Sequence, residues 1–93
     1  MTEKVKADAS RRLARMAGQI NGLQKMLDEE RYCVDILTQV SALRAALDQF
    51  GLVMLSTHLE DCVYGNGHDG GHKAMSSEER LEEIRVTLNR FLK

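Results

Sequence analysis

Ninety-three residues suffice for one domain, 1–93, and surface-to-volume scaling leaves an isolated chain of that length little core, so a partner is expected to complete its burial. Apolar residues make up 43% but aromatic residues only 4%, with no Trp and no Pro, which favours long uninterrupted helices packed through Leu, Ile, Val, Met and Ala. The net charge of −1 is unevenly spread: residues 1–27 hold Lys4, Lys6, Arg11, Arg12, Arg15 and Lys25 against Glu3 and Asp8, a net +4, leaving −5 for residues 28–93.

A basic N-terminal third suits a polyanion partner, and equally a solvated helix face. The opening MTEKVKADAS has no apolar core of signal-peptide length, and nowhere do roughly 18 apolar residues run together. No membrane partner and a cytoplasmic location are therefore expected. In a reducing compartment the two cysteines are expected as thiols.

In chain order, Leu13, Met16, Ile20, Leu23 and Leu27 recur at steps of three and four, with Arg12, Arg15, Gln19, Asn21 and Lys25 between them. This predicts an amphipathic first helix over about residues 5–29. Gly18 and Gly22 interrupt it, each at roughly 1 kcal/mol against Ala, and call for a neighbour that approaches closely. The polar segment at 28–32 is placed as a break, although no Gly or Pro marks it.

From Cys33 the apolar steps Leu37, Val40, Leu43, Leu47, Phe50 and Met54 continue, and His58 and Cys62 extend the stripe. The second helix is long. Ala42, Ala45, Ala46 and Gly51 enlarge its small-residue surface, which favours close packing within a bundle. YGNGHDGGHK, with four Gly in ten residues, then reads as a loop. Ser76 and Glu79 form a capping box that opens a third, shorter helix carrying Leu81, Ile84, Leu88, Phe91 and Leu92.

His58 and Cys62 stand four residues apart, on one helix face and roughly 6 Å along the axis, so one metal ion could take both. Cys33 lies 25 residues earlier. If residues 33–62 form one helix, that separation is about 37 Å, which no single ion spans. Either the helix is broken and folds back, or Cys33 meets the pair of another, antiparallel chain. Two thiolates and an imidazole are a soft set suited to trigonal Cu(I), or to Zn(II) with a fourth ligand. The plainer alternative is two small buried cysteines and an ordinary histidine.

The run RRLARMAGQINGLQKML, followed by YCVDILTQVSALRAAL and STHLEDC, resembles the copper-sensitive operon repressor (CsoR) family, with its nickel, cobalt, persulfide and formaldehyde sensors. The likeness covers roughly residues 9–63, more weakly LEEI at 81–84, and its most specific element is the ordered Cys…His-x-x-x-Cys. The resemblance implies an all-α, three-helix protomer, two helices long and one short. It implies an antiparallel four-helix-bundle homodimer and a dimer-of-dimers homotetramer; no enzymatic activity is expected, because the sequence shows no paired carboxylates, no nucleophile with a positioned base beyond the Cys and His already assigned, and no phosphate loop. It also implies that Cys33 comes from one protomer and His58 with Cys62 from its partner.

Within that family the Cys, His, Cys set resembles the copper branch. The nickel and cobalt branch adds histidines, the persulfide branch lacks the histidine, and the formaldehyde branch lacks the last cysteine. Tyr32 and Glu83 match positions that the copper branch uses to support the histidine. Two departures stand out. The loop is longer than usual and carries His68 and His72, which could serve a harder metal, and Ala17 replaces a basic residue common before Gly18.

No recognised DNA-reading motif is present, so operator binding is expected from the resemblance and from charge. Arg12, Arg15 and Arg44, with Lys4, Lys6 and Arg11 behind them, are the expected contacts to double-stranded DNA. The expectation is a repressor that binds its operator without metal and leaves it when Cu(I) occupies Cys33, His58 and Cys62. Rival expectations are a thiol or persulfide switch of the same fold, and a copper buffer that binds no DNA.

Overall fold

The computed structural model describes residues 1–64 and 76–92, the side chains of Cys62 and Tyr64 excepted. Three α-helices follow one another: α1 (Glu3–Asp28), α2 (Cys33–Tyr64) and α3 (Ser77–Phe91). Thr2–Met54 form one compact unit, holding α1 and most of α2, and Leu55–Lys93 with Met1 form a second. No helix among the described residues is long and apolar enough to cross a membrane.

The first helix starts at Glu3, two residues before the expected start at about residue 5, because Thr2 caps it. Its backbone is extended and its Oγ1 accepts from the Val5 N–H at 3.2 Å, satisfying one of the donors that a helix start leaves open. The helix ends in a Schellman turn. Arg31 N–H reaches back to the Met26 carbonyl at 2.9 Å and Glu30 N–H to the Leu27 carbonyl at 3.0 Å, with Glu30 at φ 51°. Glycine is the usual residue there, since a side chain in the left-handed region costs about 1–2 kcal/mol. A glutamate at that position explains why the break carries no sequence mark.

The second helix runs unbroken for 32 residues. Within the first unit Ile36, Val40, Leu43 and Phe50 are half-buried, whereas Val34, Leu37 and Leu52 are exposed. At about 100° per residue Val34 and Leu52 fall on the side away from the half-buried group, whereas Leu47, 51% exposed, falls on the same side as it. A helix apolar all round is one that other helices are meant to cover.

On α1 the apolar stripe is covered only in part, although its residues share one side of the helix. Ala9 and Met16 are buried, but Leu13, Ile20 and Leu27, seven residues apart on one line, remain 48%, 55% and 62% exposed. A Cβ built on Gly18 or on Gly22 meets nothing within 4 Å, so no described element of the protomer requires these glycines.

The third helix begins as its sequence predicts. Ser76 Oγ accepts from the Glu79 N–H at 3.2 Å and donates to Glu79 Oε1 at 3.0 Å. None of its residues is fully buried.

Candidate functional site

The second unit brings together two of the sequence-predicted residues. His58 on α2 and Glu83 on α3 face each other with Nε2 and Oε1 3.6 Å apart, and both side chains are about two-thirds buried. At that distance the imidazole is oriented by the carboxylate but not tightly bonded to it. Adjacent acids on α3 divide the work. Glu82 turns the other way and grips Arg85 through two bonds, Nε to Oε2 at 3.1 Å and Nη2 to Oε1 at 2.6 Å. The Arg85 hydrogen bond holds the Glu82 carboxyl below the usual carboxylate range. Position 62, one helical turn beyond His58, completes the His-x-x-x-Cys pair along α2. Asp61, next to it, is buried and accepts from the Met1 amino group at 3.3 Å.

Cys33 is a free, exposed thiol at the first position of α2. The preceding Tyr32 is 70% exposed, and its carbonyl accepts from the Asp35 and Ile36 N–H groups at 3.0 and 3.2 Å. Among the described residues no three His, Cys, Asp or Glu side chains gather into a metal-sized cluster. His68 and His72 lie outside the described residues.

The basic residues concentrate on α1. Arg12 and Arg15 line one side of a recess of about 770 Å³ together with Gly18, Gln19 and Gly22, opposite α2 residues that include Gln39 and Gln49. Helical geometry sets this arginine-bearing flank roughly 100° or more around α1 from the Leu13, Ile20 and Leu27 line, so two different partners can use the two flanks. Lys4, Lys6, Arg11 and Arg44 are exposed.

Arg12 is not alone. Its Nε donates to Asp8 Oδ2 at 3.0 Å, and Arg11 Nη2 stands 3.6 Å from Asp8 Oδ1. That hydrogen bond, more than the charges of the neighbouring arginines, holds the Asp8 carboxyl below its ordinary range. In the sequence Asp8 stands out only as a negative charge within the basic segment; its four-residue spacing from Arg12 is the signal that pairs them.

Residues 5–90 match the family model described as metal-sensitive transcriptional repressor. The chain belongs to that family of repressors. These are regulators of transcription and not enzymes.

Among its relatives is the copper-sensing transcriptional repressor RicR of Mycobacterium tuberculosis, 35% identical over 88 residues, spanning 95% of this chain and 88% of that one. The chain's structure is similar to that of the copper-sensing repressor CsoR with Cu(I) from Geobacillus thermodenitrificans NG80-2. The TM-score is 0.83 at 38% identity, over 100% of this chain and 92% of that one. It is also similar to the nickel-responsive transcriptional regulator InrS, with a TM-score of 0.72 at 33% identity, covering 91% of this chain and 90% of the other. Sensors of different inducers thus share this three-helix framework.

Proposed function

We propose that the chain is a Cu(I)-responsive repressor that binds operator DNA in its metal-free state and releases it when Cu(I) occupies a site shared between two protomers. The observation that carries the reading is the continuity of α2, which bears Cys33 at one end and the His58–Cys62 spacing at the other. Twenty-five residues of unbroken helix rise about 37 Å, so the three soft ligands can meet at one ion only if a second chain supplies Cys33. The exposed lines on α1 and α2 favour an antiparallel four-helix-bundle dimer, and a dimer of dimers beyond it.

Two thiolates and one imidazole fit Cu(I) by softness and by number. Glu83, 3.6 Å from His58 Nε2, would help to orient the ring that holds the metal. Because Glu83 rides on α3, occupancy of the site is transmitted to that helix, which has no fully buried residue of its own and moves at little cost. Tyr32, one residue before Cys33, closes the site from the partner's side.

On the other flank of α1, Arg12 and Arg15, with Arg44 on α2 and Lys4, Lys6 and Arg11 around them, contact DNA phosphates. The same surface, repeated in a tetramer, forms a basic patch large enough for a duplex. Cytoplasmic residence follows from this role.

Titrating the reduced protein anaerobically with Cu(I) against a competing chelator, beside Ni(II) and Zn(II), tests the inducer. One tightly bound Cu(I) per chain, with the other two metals at least about tenfold weaker, is expected. Tighter Ni(II) binding that involves His68 or His72 contradicts it. A second reading rests on the exposed Cys33 thiol, which an oxidant or persulfide can reach. Mass spectrometry after oxidant exposure distinguishes it through a Cys33–Cys62 intersubunit bridge.

A further inference from the structure

We infer that Asp8 is an internal competitor for the DNA phosphate, an electrostatic counterweight that weakens the grip of Arg12 and Arg11 on the duplex. The inference rests on the reading of α1 as the DNA-contacting helix. Asp8 and Glu3 are the only acids among the first 27 residues, and of the two Asp8 stands among the arginines. Its two oxygens span two of them, Oδ2 taking the Arg12 Nε proton at 3.0 Å and Oδ1 lying 3.6 Å from Arg11 Nη2. These are the positions and the charge that phosphate oxygens would offer. Arg15, three residues further along the helix, makes no ion pair among the described residues.

Exposure decides what this pairing does. The side chains of Asp8, Arg12 and Arg11 are 41%, 36% and 66% exposed, so the pairs are worth little to the fold and yield readily to another anion. A carboxylate that stayed bound while a phosphate arrived would repel it. One that lets go leaves its own charge a few ångströms away. Either way each protomer facing the duplex binds it more weakly than its count of basic residues implies. At about 4 Å in water one unit charge changes affinity roughly fivefold, and the factor multiplies over protomers that face one duplex. The device lowers operator affinity into the range that an inducer's coupling of roughly 5–150-fold can reverse.

Asp8→Asn and Asp8→Ala test it, with Asp28→Asn as a control that removes the same charge from the far end of α1, where Asp28 accepts from Gln24. Each protein is titrated into a fluorescein-labelled mixed-sequence DNA duplex over a range of salt, which reads the sequence-independent phosphate contacts. Both Asp8 variants are expected to bind roughly fivefold tighter or more than wild type at low salt, with a salt slope steeper by about 0.9 per protomer against the duplex. Asp28→Asn is expected to match wild type at about 0.1 M salt, where its roughly 30 Å from Asp8 along α1 is about three screening lengths.

Asp8 variants equal to the control overturn the counterweight while leaving the DNA reading intact. Weaker binding by both also overturns it, and makes Asp8 a residue that positions Arg12. A wild-type protein that binds the duplex at no salt concentration removes the DNA reading, and the counterweight with it. Circular dichroism on each variant shows helix content unchanged, as expected for exposed helix positions.

Discussion

Cys33→Ala and His58→Ala are each expected to abolish tight Cu(I) binding, and an equimolar mixture of the two, unfolded and refolded together, is expected to recover part of it. A protomer lacking Cys33 still offers His58 and Cys62; one lacking His58 still offers Cys33. If the ligands come from two chains, each mixed dimer holds one intact site and one doubly damaged site. Half of the dimers are mixed, so about a quarter of the wild-type tight sites return. If all three ligands came from one chain, no mixture could restore any. The loss in each single variant should reach several orders of magnitude in affinity, because a two-coordinate remnant gives up a soft thiolate or the imidazole that Cu(I) prefers. A chelator competition on the three samples reads both results at once. Restoration is the signature of α2 continuity, since the separation along one helix permits nothing else.

Arg12→Ala with Arg15→Ala is expected to remove operator binding at physiological salt and to leave copper binding unchanged. The two arginines lie three residues apart and line one recess, so under the proposed reading they would address neighbouring phosphates. Each phosphate that is no longer neutralised flattens the logarithmic salt slope by about 0.9. With at least two protomers against the duplex, roughly four phosphates go unpaired, and affinity should fall by about a hundredfold or more. Retained copper stoichiometry shows that the variant is folded and assembled. A double variant that binds DNA like wild type moves the interface away from α1, toward Arg44 on α2 or the acid-rich third helix's few basic residues, Arg80, Arg85 and Arg90.

How much of this was legible in the sequence depends on which physical force wrote each feature. The long helices were legible, because α1 and α2 repeat apolar residues at steps of three and four over many turns. The start of α3 was legible too, because Ser76 and Glu79 are the residues that a capping box requires. The turn between α1 and α2 was placed at the right residues without a mark, since Glu30 occupies the left-handed conformation where glycine is usual. Thr2 caps α1 and moves its start to Glu3, two residues before the expected start at about residue 5, an effect of one hydroxyl that periodicity does not register.

The site was legible only in pieces. His58 and Cys62 announce themselves by a four-residue spacing, but Glu83 is one of several acids on α3, and only the packing of α3 on α2 selects it over Glu82, which Arg85 occupies. The stripe of Leu13, Met16, Ile20, Leu23 and Leu27 reads as one apolar face; the structure buries Met16 and leaves Leu13, Ile20 and Leu27 to solvent. A pattern tells which residues avoid water, and not which neighbour covers them. The two glycines of α1, open on the protomer, follow the same rule.

The most direct test of copper-controlled repression is operator affinity measured by anisotropy for the metal-free protein and again with one Cu(I) per chain, under anaerobic conditions and at one salt concentration. Copper is expected to weaken operator binding by roughly fivefold to 150-fold, and the operator to weaken copper binding by the same factor, since coupling is reciprocal. Equal operator affinity with the copper sites filled contradicts copper control and leaves a copper-binding protein whose metal does not govern DNA.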